Sequence, residues 1–162
     1  MLKYYNAMVV FEEIPDDITL AINITNCPCH CPGCHSKFLW EDVGTELTDD
    51  ELRRIMDEND GITCVCFMGG DANPKEVNDL AGVVITRNTC RQWPLKVAWY
   101  SGMDELSDEI DIGRFDYIKL GHYDNELGPL NKKTTNQKLY QVTVNNKDKK
   151  FELNDITYKM QS

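Results

Sequence analysis

Four of the seven cysteines and two of the three histidines fall in one ten-residue stretch, Asn26-Cys27-Pro28-Cys29-His30-Cys31-Pro32-Gly33-Cys34-His35. Within it Cys27, Cys31 and Cys34 stand at the spacing C-x3-C-x2-C. Thiolates are soft anionic ligands, and a cluster of them points to zinc or to an iron–sulfur centre. Three thiolates on a four-iron cube would leave one iron open to a further ligand. Structural zinc sites more often join two cysteine hooks across a longer loop. Here every candidate lies within nine residues and no second hook follows, so the spacing favours iron–sulfur over a zinc knuckle built from any four of these cysteines and histidines. Cys29 breaks the three-and-two pattern and reads as a bystander. Pro28 and Pro32 stiffen the turn, and Gly33 lets backbone approach a bound group closely.

A second candidate is Met68-Gly69-Gly70-Asp71, at the end of an apolar run. By itself Gly-Gly there reads most simply as a tight turn. Beside the cysteine loop, its carbonyls and the Asp71 carboxylate could hold an ammonium group. Tyr100-Ser101-Gly102 would add polar atoms to the same edge. Lys119 to His122 could do so too, although Lys119 reads more simply as a surface lysine. Cys64 and Cys66, two apart in a strand, point to one face and read as buried core. Cys90 stands alone and reads as inert.

These groups need elements to place them. Residues 18–25 alternate, with Ile18, Leu20, Ile22 and Ile24 on one face, and read as a strand that runs straight into Cys27. Residues 36–44, with Phe38, Leu39 and Trp40, would wrap over the site. Thr48 and Glu51 form a capping box ahead of the helical stripe Leu52, Ile55, Met56. Residues 62–68 read as a buried strand. Asn73 caps a second helix, with Pro74 at its first position and Val77, Leu80, Ala81 and Val84 on its apolar face. Residues 95–100 and 115–120 read as third and fourth strands, with a weakly helical acidic piece over 103–110. Residues 1–16 read as a short edge strand or extended lead-in, 122–138 as a loop, and 139–157 as a terminal hairpin. Alternating strands and helices predict parallel βαβ units, whose carboxyl edge is where ligands bind.

The 162 residues fit one domain. A formal charge of −10 argues against nucleic acid or anionic membrane as partner; Lys147, Lys149 and Lys150 read as a solvated turn. No run of 18 apolar residues could span a membrane, and the N-terminus lacks a secretory layout. An odd cysteine count without a signal favours metal or redox chemistry in a reducing cytoplasm over disulfides.

Taken together, the C-x3-C-x2-C loop after a first strand and Gly-Gly-Asp at the next strand end resemble the radical S-adenosylmethionine superfamily. Within it, residues 27–35 and Phe67-Met68-Gly69-Gly70-Asp71 resemble the anaerobic ribonucleoside-triphosphate reductase activating proteins. Trp99-Tyr100-Ser101-Gly102, residues 116–121, Glu126-Leu127-Gly128-Pro129-Leu130 and residues 134–140 fit the same family, so the similarity covers roughly residues 15–145. Gly33 stands where the wider superfamily commonly has an aromatic residue. The resemblance implies an α/β fold, a truncated, partial parallel β/α barrel with a short C-terminal β hairpin. It implies that Cys27, Cys31 and Cys34 bind a 4Fe–4S cluster whose fourth iron is chelated by S-adenosylmethionine. Gly69, Gly70 and Asp71 would position the cofactor's amino end, and the backbone of Gly33, Cys34 and His35 would lie against it. Reductive cleavage would give a 5′-deoxyadenosyl radical that takes hydrogen from a glycine of a class III anaerobic ribonucleotide reductase, with flavodoxin or ferredoxin as the low-potential donor. An activase of the pyruvate formate-lyase type and a non-catalytic zinc module are the alternatives.

Overall fold

The computed structural model describes residues 1–88 and 94–161; Cys90 lies outside them. Its centre is one sheet of eight strands in the order β3-β1-β2-β4-β5-β6-β7-β8. The strands are β1 (Lys3–Val10), β2 (Thr19–Ile24), β3 (Thr45–Glu46), β4 (Cys64–Met68), β5 (Lys96–Tyr100), β6 (Tyr117–Leu120), β7 (Lys138–Val144) and β8 (Phe151–Asp155). The helices are α1 (Asp49–Asp57) and α2 (Pro74–Arg87).

Strands β2, β4, β5 and β6 run parallel, the direction expected from the alternation of strands and helices. Four further pairings are antiparallel: β1 with β2 and with β3, β7 with β6 and with β8. The architecture is therefore a mixed, open sheet, and the truncated parallel barrel expected from the sequence is not what the chain forms. The reason lies in the connections. A parallel barrel needs a covering helix at each crossover, but the chain between β5 and β6 makes bends, turns and a single 3-10 turn at Ile112–Arg114. The weak helix expected over 103–110 is likewise absent. Antiparallel strands on both flanks then take the edges that a barrel would close.

Both helix starts follow local chemistry. The Thr48 hydroxyl accepts from the Glu51 N–H at 3.1 Å, and the Asn73 side chain accepts from the Glu76 N–H at 3.3 Å, with Pro74 leading α2. The apolar faces of α1 and α2 pack on one side of the sheet against Leu20, Ile22, Ile24, Val65, Phe67, Val97, Trp99 and Ile118. Ile18, expected on that face, precedes the strand and is exposed.

The opposite face has no α-helix among the described residues, although the 3-10 turn Thr157–Met160 packs against it. Cys64, Cys66, Ala98 and Tyr117 lie there under Ile14, Leu130 and Ile156. Both strand cysteines are fully buried, as their alternation predicts. The terminal hairpin is formed by β7 and β8, with Lys147, Lys149 and Lys150 exposed in its turn.

Candidate metal centre

Parallel register builds the floor of the site. Asn23 pairs with Met68, Met68 with Tyr100 and Tyr100 with Lys119, so one row of side chains crosses the last rung of the four parallel strands. All four line a hollow of about 190 Å³, together with Cys27, Cys34 and Trp40. The cysteine loop and the Gly-Gly-Asp turn thus meet at the carboxyl edge of the sheet, where the strand directions require them to be.

The loop is tied back at several points. The N–H groups of Asn26 and Cys27 donate to the carbonyls of Glu41 and Leu39, both at 3.0 Å, which lays the segment containing Trp40 alongside the first cysteine. The Cys34 N–H donates to the Cys31 carbonyl at 3.1 Å, closing a turn, and the Cys34 sulfur accepts from the Ser36 N–H at 3.3 Å. Gly33 has φ +77°, and a side chain there would press on Asn125. Cys31 is buried, whereas Cys27 and Cys34 are half-buried. His35 is exposed, edge-on to Tyr123 at 5.7 Å. His30 stacks flat on Trp40, with ring centroids 4.5 Å apart. Phe38 faces outward against Tyr5, while Leu39 and Trp40 face the hollow, so the expected wrapping segment is present.

Gly69 and Gly70 have φ of +106° and +93°. Added side chains would meet the Ile24 carbonyl at 3.2 Å and the Val77 methyl at 2.5 Å. The Gly69 N–H donates to the Tyr100 carbonyl at 2.9 Å and its carbonyl accepts from the Trp99 indole at 2.7 Å, while the Gly70 carbonyl accepts from the Asn73 N–H. Much of this turn's backbone therefore serves the fold. Asp71 is buried, and its carboxylate accepts from the Ser101 hydroxyl at 2.5 Å and the Gly102 N–H at 2.8 Å, clamping the ends of β4 and β5.

Lys119 departs from the sequence reading. It is buried rather than on the surface, and its ammonium donates to the carbonyls of Ser101 and Gly121, each at 2.9 Å. Burial pushes its pKa below the ordinary value, while Asp71 and the thiols of Cys31, Cys29 and Cys27 push the other way. A signal existed in the sequence: alternation puts Lys119 with Tyr117 on the face opposite Ile118, at the loop's end of the sheet.

Cys29 sits close to the clamp, and a side chain on Gly102 would lie 2.7 Å from its sulfur. Its thiol lies 3.9 Å from the Met103 sulfur, and its pairing with Cys27 holds the Cys27 thiol below its usual value, at about 6, and pushes Cys29 up. Backbone N–H groups of Cys29 and His30 add to the stabilisation of the Cys27 thiolate. Among the described residues no three histidine, cysteine, aspartate or glutamate side chains converge on a point to hold a single ion.

The donor set fits an iron–sulfur cluster on chemical grounds. Two soft thiols, Cys27 and Cys34, line a small hollow, with Cys31 in the same loop. A buried ammonium offsets the negative charge that thiolates bring. Trp40 belongs to the wall of the same hollow, and its indole nitrogen is buried without a hydrogen-bond partner among the described residues.

Such a loop at a parallel strand edge marks an iron–sulfur protein, and comparison with known families agrees. The family model of the 4Fe–4S single cluster domain matches residues 18–142, and the chain belongs to that family. No curated protein matches the chain, and no solved structure does. The matched span opens at β2 and ends within β7, so it takes in the cysteine loop, the Gly-Gly-Asp turn and Lys119. No helix among the described residues is long and apolar enough to cross a membrane.

Proposed function

We propose that this protein is a radical S-adenosylmethionine activase that generates the glycyl radical of an anaerobic, class III ribonucleoside-triphosphate reductase. The observation that carries the reading is the meeting of Cys27 and Cys34 with Asp71, Ser101, Gly102 and Lys119 around one hollow at the parallel strand ends. The reading needs no barrel, because the carboxyl edge of four parallel strands supplies the same convergence. In it, Cys27, Cys31 and Cys34 hold three irons of a 4Fe–4S cluster. When bound, cluster and cofactor together supply reductive cleavage of the sulfonium and abstraction of a hydrogen from a glycine Cα.

The chain's own residues bind and orient. Asp71 keeps the ends of β4 and β5 in place, and its remaining lone pairs suit the cofactor's ammonium group. Gly69 lines the hollow and would bring the turn close to the cofactor, Gly70 would shape that turn from outside the hollow, and the backbone of Gly33 to His35 would lie along the cofactor. Lys119 counters the negative charge of thiolates and carboxylate in a buried place. Leu39, Trp40 and Met68 are apolar walls that limit water around a reactive radical. A flavodoxin or ferredoxin would supply the electron in the cytoplasm.

The test is a reaction of reconstituted protein, cognate reductase, S-adenosylmethionine and a low-potential reductant. The expected result is a glycyl radical doublet in electron paramagnetic resonance. Its absence, with a cluster in place and cofactor consumed, would assign the activity to another target such as a pyruvate formate-lyase-type enzyme.

A further inference from the structure

Trp40 is tied to the site from three directions. Its flanking residues Leu39 and Glu41 accept hydrogen bonds from Cys27 and Asn26. Its ring is stacked on His30, with an interplanar angle of 4°, and the Lys37 ammonium lies 5.9 Å from its centroid. The residue lines the hollow with Cys27 and Cys34. A ring held this way keeps its N–H in a fixed direction, yet that nitrogen is buried and has no partner among the described residues. Trp99 offers a contrast, since its indole donates to the Gly69 carbonyl at 2.7 Å. Native proteins rarely leave a buried donor unpaired, because its lost hydration is not recovered. With a cluster bound, the acceptors that belong in a hollow walled by Cys27 and Cys34 are sulfur atoms carrying negative charge.

We propose that the Trp40 indole N–H donates a hydrogen bond to a sulfur of the cluster, either a cysteine thiolate or an inorganic sulfide, and thereby makes the cluster easier to reduce. The inference rests on the cluster reading of Cys27, Cys31 and Cys34, and not on the identity of the protein substrate. Reduction adds an electron, and no bond to the protein is made or broken. The added charge spreads onto the sulfurs, so a donor there stabilises the reduced state more than the oxidised one. Trp40 is in this sense a positioning residue that adjusts the potential, bringing it nearer to the reach of a protein electron donor.

The experiment compares wild type with Trp40→Phe, which keeps an aromatic ring against His30 and removes only the N–H. Both are reconstituted anaerobically, their iron and sulfide are counted, and their potentials are measured by optical redox titration. At a fixed applied potential the reduced-to-oxidised ratio is expected to fall roughly tenfold in the variant, a shift of about 59 mV to more negative potential for one electron. In parallel, wild type carrying 15N-indole tryptophan is reduced and examined by electron–nuclear double resonance. A 15N coupling that Trp40→Phe abolishes supports the hydrogen bond. If that variant takes up no cluster, the same measurement on Trp93→Phe/Trp99→Phe, in which Trp40 carries the one labelled indole, decides the matter. Equal potentials in both proteins, or no 15N coupling in wild type, would overturn the inference. Wild type that takes up no iron and sulfide would instead overturn the cluster reading beneath it.

Discussion

Gly70→Ala separates a structural role from a ligand-binding one in the Gly-Gly-Asp turn. Gly70 sits at φ +93°, where an L side chain is strained by about 1 kcal/mol or more. Its new Cβ would lie 2.5 Å from the Val77 Cγ2 methyl, on the fully buried face of α2. Valine is stiff at χ1 and cannot swing that methyl aside, so overpacking adds about 1–3 kcal/mol. The sum is roughly 2–4 kcal/mol, which for a urea dependence near 2 kcal/mol/M is a midpoint lowered by about 1–2 M. A double-mutant cycle with Val77→Ala isolates the clash. That substitution removes the offending methyl, and Gly70→Ala should cost about 1–2 kcal/mol less in its presence than in wild type. Urea unfolding of the four cluster-free proteins, followed by circular dichroism, reads the coupling. Costs that add within about 0.5 kcal/mol would refute the steric reasoning and leave only the backbone strain.

Other substitutions probe the thiols, the clamp and a charged contact. Replacing Cys27, Cys31 or Cys34 by Ser, one at a time, is expected to abolish stoichiometric iron and sulfide uptake, whereas Cys29→Ser is expected to retain it; metal analysis with absorbance near the sulfur-to-iron bands reads both. Asp71→Asn would set an amide NH2 against the Ser101 hydroxyl or the Gly102 N–H. The unpaired buried donor that results should cost about 1–3 kcal/mol in urea unfolding. Glu51 accepts from Arg54 and from the Tyr4 hydroxyl, and these partners depress its carboxyl from 4.5 to about 2. A depressed carboxyl contributes stability above its unfolded value and loses that contribution as pH falls through the folded one. Glu51→Gln should therefore flatten the decline in thermal midpoint between pH 4.5 and 2, by a modest amount because the contact is near the surface.

The local features of this fold were open to sequence reasoning, and the long-range ones were not. Alternation over residues 18–25 and the apolar run 62–68 found two central strands because the pleat writes a period of two into burial. Thr48 and Asn73 found both helix starts because capping acts within one turn. The barrel expectation failed where pairing joins distant segments. Nothing local tells residues 3–10 to lie antiparallel to β2, or residues 138–144 to lie antiparallel to β6. The bends between β5 and β6 were also masked by an acidic composition that tolerates a helix.

The site divides along the same line. Cysteine spacing pointed to the loop, and parallel direction brought it to the Gly-Gly-Asp turn. Burial of Lys119 depends on Asp71, Ser101 and Gly121 closing around it, which composition does not display. The hydrogen bonds taken up by Gly69, Gly70 and Asp71 are set by β5 and α2, outside the motif itself. The orphan N–H of Trp40 is visible only once the loop is folded over the strand ends.

Reconstitution with iron and sulfide under anaerobic conditions, followed by reduction and electron paramagnetic resonance with and without S-adenosylmethionine, tests the central claim most directly. A reduced 4Fe–4S signal whose shape changes on adding the cofactor is the predicted result, since in the proposed reading the iron left open by three thiolates is where the cofactor would bind. A cluster signal indifferent to the cofactor would contradict the activase reading while leaving the iron–sulfur family intact. Colourless protein holding zinc at these thiols would contradict both the activase and the cluster.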